Sequence, residues 1–274
     1  MAAILGLIAI GLAVIFGIRG VINLAHGELF MLGAYTAVWF SDQGWSTWWA
    51  LMAAPVAVGV IGIVIEVVVV RHIYDRPVDT LVATFALSLI IRELIKLMFG
   101  KGSRNIPMPL GGQIYIVGTA YPQYRIFLIV VGTVVMAGVA WVFLRTDVGV
   151  KVRAVIQRRP MAEAMGINGR AVDRVVFAFG AALAGLSGVL MAPLITINPG
   201  VGPFFLARSF LVVILGGVGS IMGAVAGAVV IGIGEGVISS WIEPIYSQML
   251  LFAMAIVVLR LRPAGLFGRP TNSK

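Results

Sequence analysis

The side chains that could carry chemistry are few, and most of them lack a partner at a useful spacing. His26 and His72 are the two histidines; they lie far apart and neither sits in H-E-x-x-H, so no metal site is expected. Gly185-Leu186-Ser187-Gly188 has the G-x-S-G outline of an intramembrane serine nucleophile. Such a serine needs a base on a later span, and both histidines precede it. Ser187 is therefore read as small-residue packing, and no catalytic residue is assigned. Gly100-Lys101-Gly102 is not a phosphate-binding loop, because G-x-x-x-x-G-K-[ST] does not occur. With no cysteine, disulfides and thiolate sites are excluded. What remains is one polar string between two apolar runs, Asn23-Leu24-Ala25-His26-Gly27-Glu28.

The elements that hold this string are membrane segments. Of 274 residues, 60% are hydrophobic and only 11% are charged, and mean hydropathy is +1.05. A soluble domain carries about a quarter charged residues, so a soluble enzyme and a large extramembrane domain are both excluded. Apolar runs cover 2–18, 29–40, 48–70, 81–99, 126–144, 175–194, 204–217, 224–238 and 250–261. At about 20 residues per crossing this predicts an all-α polytopic membrane protein with about eight or nine transmembrane helices. Residues 1–274 are read as one transmembrane domain. The first run is a true span and not a signal peptide, having no basic stretch before it.

Charge sets the orientation. Residues 145–174 carry Arg145, Lys151, Arg153, Arg158, Arg159, Arg170 and Arg174 against Asp147, Glu163 and Asp173. By the positive-inside rule this loop is cytoplasmic, as are the turn 71–76 and the tail with Arg260, Arg262, Arg269 and Lys274. The net charge of +9 thus sets topology, and nucleic acid is not an expected partner. Turns 41–47, 100–125 and 195–208 fall outside, where Trp45, Trp48, Trp49, Tyr115, Tyr121, Tyr124 and Trp241 form an aromatic belt. Within the basic loop, Met161-Ala162-Glu163-Ala164-Met165-Gly166 is predicted to be a short helix with a glycine cap. The loop is either a topology anchor or a docking segment for a cytoplasmic partner.

The polar string has two open readings. Gly27 is expected to break the helix there. Irregular backbone at membrane depth survives only where it is buried or lines a watery cavity, and His26 and Glu28 would then be functional. Alternatively the string is a surface turn with both side chains solvated. If buried, Asn23, His26 and Glu28 are expected to pair with one another or with Glu66 or Glu235. Thirty-four glycines imply close helix contacts and broken helices. Gly185 and Gly188 are expected to interrupt the sixth span. Gly219, Gly223 and Gly227, four apart, are expected to form one face packed on another membrane chain or the central helix.

Asn23-Leu24-Ala25-His26-Gly27-Glu28-Leu29-Phe30-Met31-Leu32-Gly33-Ala34-Tyr35 resembles the H-type permeases of ATP-binding-cassette importers for branched-chain amino acids and for urea or short amides. Further matches are Arg76-Pro77-Val78-Asp79-Thr80-Leu81-Val82-Ala83-Thr84, Gly149-Val150-Lys151-Val152-Arg153-Ala154-Val155, Met165-Gly166-Ile167-Asn168, Gly216-Gly217-Val218-Gly219-Ser220 and Arg262-Pro263-Ala264-Gly265-Leu266-Phe267. The resemblance covers nearly the whole chain. It implies a multi-pass permease of the inner membrane, no cofactor of its own, a second homologous permease chain, two cytoplasmic ATPase subunits and an external solute-binding protein. It also places the ATPase-coupling loop at 145–174; from the loop's length, basic charge and cytoplasmic side, Arg159, Met161, Glu163 and Gly166 are expected to be its ATPase contacts. Glu163-Ala164-x-Gly166 departs from the E-A-A-x-x-x-G of other importers.

Overall fold

The computed structural model describes residues 2–20, 22–74, 76–116, 119–217, 219–262 and 265. Val218, Arg269, Lys274 and most of the closing motif after Arg262 lie outside the described residues. The described elements are α1 (Ala2–Arg19), α2 (His26–Asp42), α3 (Thr47–Val68), α4 (Pro77–Phe99), β1 (Gln113–Ile116), β2 (Thr119–Pro122), α5 (Gln123–Arg145), α6 (Asp147–Ala164), α7 (Gly169–Met191), α8 (Val201–Gly216), α9 (Ile221–Ile238) and α10 (Pro244–Leu261). Nine of these helices are apolar and coincide with the nine apolar runs; α6 is polar. α3, α5 and α7 have the length and composition to cross a membrane outright, and α1, α8, α9 and α10 are shorter apolar helices.

A helix that is apolar all round must be enclosed by protein or by lipid. α1 is enclosed by protein: Leu5, Leu7, Ile8, Ala9 and Ile10 are wholly buried, and α5, α7, α8 and α9 surround it. α7 is the second hub and packs on α1, α2 and α3. Small residues make these contacts close. A Cβ on Gly62 would meet the Ala181 methyl at 2.5 Å, and one on Gly180 would meet the Gly11 carbonyl oxygen at 2.8 Å. Gly33 and Gly188 sit directly on the backbones of Gly185 and Phe30. In a bilayer, van der Waals packing of this kind holds helices together. α7 runs unbroken through Gly185 and Gly188, contrary to expectation, because these glycines serve interhelical contact and their backbone stays helical.

Between α4 and α5, β1 and β2 pair antiparallel, Gln113 opposite Pro122. One further expectation needs correction. Tyr124 is not in the aromatic belt: it is 2% exposed and its hydroxyl donates to the Leu190 carbonyl at 2.7 Å. Burial of a ring with a satisfied hydroxyl costs nothing in hydrogen bonds. Trp49 and Trp241 remain exposed at helix ends, as a belt requires.

Candidate functional site

Asn23 and Ala25, in the segment that separates α1 from α2, are buried in the bundle. Asn23 is 4% exposed, His26 0% and Glu28 1%, so the surface-turn reading with solvated side chains is excluded. The break is not at Gly27, which is the second residue of α2; it falls before α2, beginning where Gly20 adopts φ 66°. Local bonds replace the missing helix: Asn23 Oδ1 accepts from the Ala25 amide at 3.0 Å, and the Leu24 amide donates to Thr84 Oγ1 at 3.2 Å. Gly27 packs its Cα on the Gly202 carbonyl, which brings the start of α8 against the start of α2. Phe30 and Phe205 stack beside this crossing at 4.1 Å.

The polar side chains find partners other than those expected. His26 Nε2 lies 3.2 Å from the Ile8 carbonyl of α1, the geometry of an N–H donor. Glu28 Oε1 accepts from Arg92 of α4 at 2.7 Å. Glu66 faces Arg174 at 3.8 Å, and Glu235 pairs with Arg208 at 2.7 Å. The expected pairing of the string with Glu66 or Glu235 is therefore wrong. Each carboxylate meets an arginine, since two buried carboxylates in contact repel while an arginine offsets both charge and hydrogen-bonding need. Arg92 and Arg208 have no role assigned from the sequence, although an arginine inside an apolar run is itself the signal. His26, Glu28 and Arg92 thus tie α1, α2 and α4 together at one level, with Gly27 admitting α8.

The basic segment forms a second constellation. α6 is two short helices joined at Arg158, whose φ of −151° and ψ of 86° are not helical. Pro160 removes an amide donor just beyond that kink. Gly166, at φ 85°, ends the second piece as a glycine cap. Arg159 reaches Glu163 at 2.9 Å within α6 and Asp173 of α7 at 2.9 Å. Partial burial works against the Arg159 charge, but the Asp173 and Glu163 carboxylates outweigh it and raise the guanidinium above its ordinary pKa. Arg153 also donates to the Phe143 carbonyl at the end of α5. The kinked segment is thereby held in place while Met161 and Met165 stay exposed beside a 310 Å³ groove that they line with Arg158. A larger cleft of 550 Å³ lies between this segment and the turn after α3, lined by Arg71, His72, Arg170 and Arg174 among others.

Gly219, Gly223 and Gly227 do not form one helix face. Gly219 lies in the turn before α9 at φ 76°, against Gly17 of α1. Gly223 and Gly227 lie on α9 and touch the backbone of α8 at Gly216 and Val212. Ser220 Oγ caps α9 by accepting from the Gly223 amide at 3.0 Å. Ser187 donates to the Leu183 carbonyl of its own helix at 2.7 Å. No group of three potential metal ligands occurs among the described residues.

The described helices thus form a polytopic, largely apolar bundle of membrane-protein type, with a tethered polar segment and buried ion pairs. Residues 1–259 match the family described as "Branched-chain amino acid transport system / permease component". The chain belongs to that family. It is 32% identical to the high-affinity branched-chain amino acid transport system permease protein LivH of Salmonella typhimurium, over 98% of this chain and 92% of the relative. It is 31% identical, with the same coverage, to permease protein BraD of Pseudomonas aeruginosa. A probable branched-chain amino acid transport permease of Methanocaldococcus jannaschii is 24% identical over 97% of this chain. No solved structure matches the chain. The protein is thus a multi-pass membrane permease and one component of a larger ABC-type transport system.

Proposed function

We propose that this permease sits in the inner membrane and imports a branched-chain amino acid. In this reading an external binding protein delivers the solute, a second homologous permease chain completes the pathway, and two cytoplasmic ATPases supply the energy. Urea or a short amide is the alternative solute. The observation that carries the reading is α6, a polar kinked segment clamped to the bundle by Arg159 yet presenting Met161 and Met165 outward. A clamp of this kind transmits motion. When an ATPase seated on Met161, Glu163 and Gly166 moves, Arg159 carries the movement to Asp173 and so to α7, the hub packed on α1, α2 and α3.

The cytoplasmic side is assigned to the α6 end by its arginines. Asn23, His26, Gly27 and Glu28 then lie beside the route, or brace the helices that form it. An alternating-access cycle needs helices that shift without opening a continuous water path. The glycine contacts of α7 on α1 and α2, and of Gly223 and Gly227 on α8, are smooth backbone surfaces suited to such sliding. The test is uptake of labelled leucine in membranes containing the full set of chains, compared with urea and acetamide. Leucine uptake that is ATP-dependent is expected; uptake of urea alone would transfer the protein to the alternative solute.

A further inference from the structure

The 550 Å³ cleft beside α6 is lined mostly by charged side chains, and their charges do not balance. The carboxylates that line it are engaged: Arg159 holds Glu163 and Asp173, and Arg174 faces Glu66. Arg71, in the turn after α3, and Arg170, in the first turn of α7, line the same cleft and are exposed. Neither has a carboxylate partner among the described residues. Arg71 Nε donates to His72 Nε2 at 3.4 Å, which leaves both of its terminal nitrogens for a ligand. α7 begins beside them at Gly169, so the positive end of its dipole adds to the same field.

Two guanidiniums from separate elements suit a phosphate group. Each is a planar fork that can donate two parallel N–H bonds to phosphate oxygens, a geometry that lysine lacks. The cleft also adjoins apolar surface. Val64 and Val68 are exposed on the last turns of α3, just before Arg71, and Val175 is exposed on α7 next to Arg174. A lipid can lay its chains on these valines with its headgroup at Arg71 and Arg170. A soluble anion would use only half of that arrangement. The arginines of this end place the cleft at the cytoplasmic leaflet, where anionic lipids gather and basic pockets between helices receive their headgroups.

We propose that this cleft binds the headgroup of an anionic phospholipid, its phosphate held by Arg71 and Arg170. The lipid then bridges the turn after α3 and the start of α7, beside the tie from Arg159 to Asp173. It braces the base on which α6 is clamped, so the position of that segment depends on the leaflet as well as on the protein. This site is independent of which solute is carried, and its test needs no transport.

The complete transporter, purified in detergent, is titrated with phosphatidylglycerol or with phosphatidylcholine, and native mass spectrometry counts the lipid that stays bound. Phosphatidylglycerol is expected to be retained in preference. Arg71→Gln and Arg170→Gln are each expected to weaken that retention about fivefold. Arg125→Gln, an exposed arginine at the start of α5, should leave it unchanged. If one of the two cleft variants fails to insert, the other gives the same reading. Equal retention of the two lipids, or a preference unaltered by the cleft variants, would overturn the site. Displacement of phosphatidylglycerol by an equal concentration of inorganic phosphate would overturn the lipid and leave a soluble phosphate ligand. A preference that emerges only after the ATPases are stripped away would assign both arginines to ATPase carboxylates instead.

Discussion

The side chain of His26 bonds a backbone carbonyl, that of Ile8, and Glu28 bonds the guanidinium of Arg92. His26→Ala removes the bond to Ile8 and leaves a small void at the α1–α2 crossing, so leucine uptake should fall while the protein still inserts and assembles. Wild-type uptake in that variant would show that the bond is dispensable. Glu28→Gln keeps the shape but removes the charge facing Arg92. Breaking a buried pair on one side costs about 3–5 kcal/mol, and Arg92 is 23% exposed, so the lower end is expected. Thermal unfolding in detergent should therefore shift clearly downward. Adding Arg92→Met should recover much of the loss, since an apolar side chain in place of the orphaned charge removes the desolvation cost. A double variant no more stable than Glu28→Gln would mean that the pair is not the source of the effect.

At the scale of elements, α6 and the α8–α9 hairpin carry the distinct predictions. Arg159→Ala cuts the tie from α6 to Asp173, and Glu163→Ala leaves Asp173 as its remaining carboxylate partner. Arg159→Ala should leave ATP hydrolysis running while uptake is lost, and Glu163→Ala should do so more weakly; unchanged transport in both would remove the docking role. Gly223→Leu forces a branched side chain onto the Gly216 backbone. Overpacking of this kind costs about 1–3 kcal/mol or more, so the variant should accumulate poorly or be trapped in one state, whereas a lipid-facing site would accept leucine.

These elements also show how far the sequence could be read. Helix positions and the capped segment ending at Gly166 were legible, because hydropathy and capping are local properties. The partners of Glu28, Glu66 and Glu235 were not, because each pairing arginine lies on another helix and no local pattern encodes which helix faces which. The same holds for Tyr124, whose burial depends on Leu190 of α7. Gly27 illustrates a third limit. A glycine between apolar runs marks either a break or a close contact, and only the position of Gly202 decides between them.

The whole molecule is a bundle arranged about α1 and α7, with α4 and α5 on its flanks and α6 tethered at one end. This arrangement separates a core packed through glycine contacts from a polar segment tethered at one end. The central claim is that this chain moves solute only when driven through α6. The most direct measurement is labelled leucine uptake into proteoliposomes that hold the complete transporter, with ATP and binding protein on their proper sides, for the unaltered chain and for Arg159→Ala. The account predicts accumulation above the external concentration that requires ATP and disappears in Arg159→Ala. Equilibration of leucine without ATP, unaffected by Arg159→Ala, would contradict it and identify a stand-alone channel.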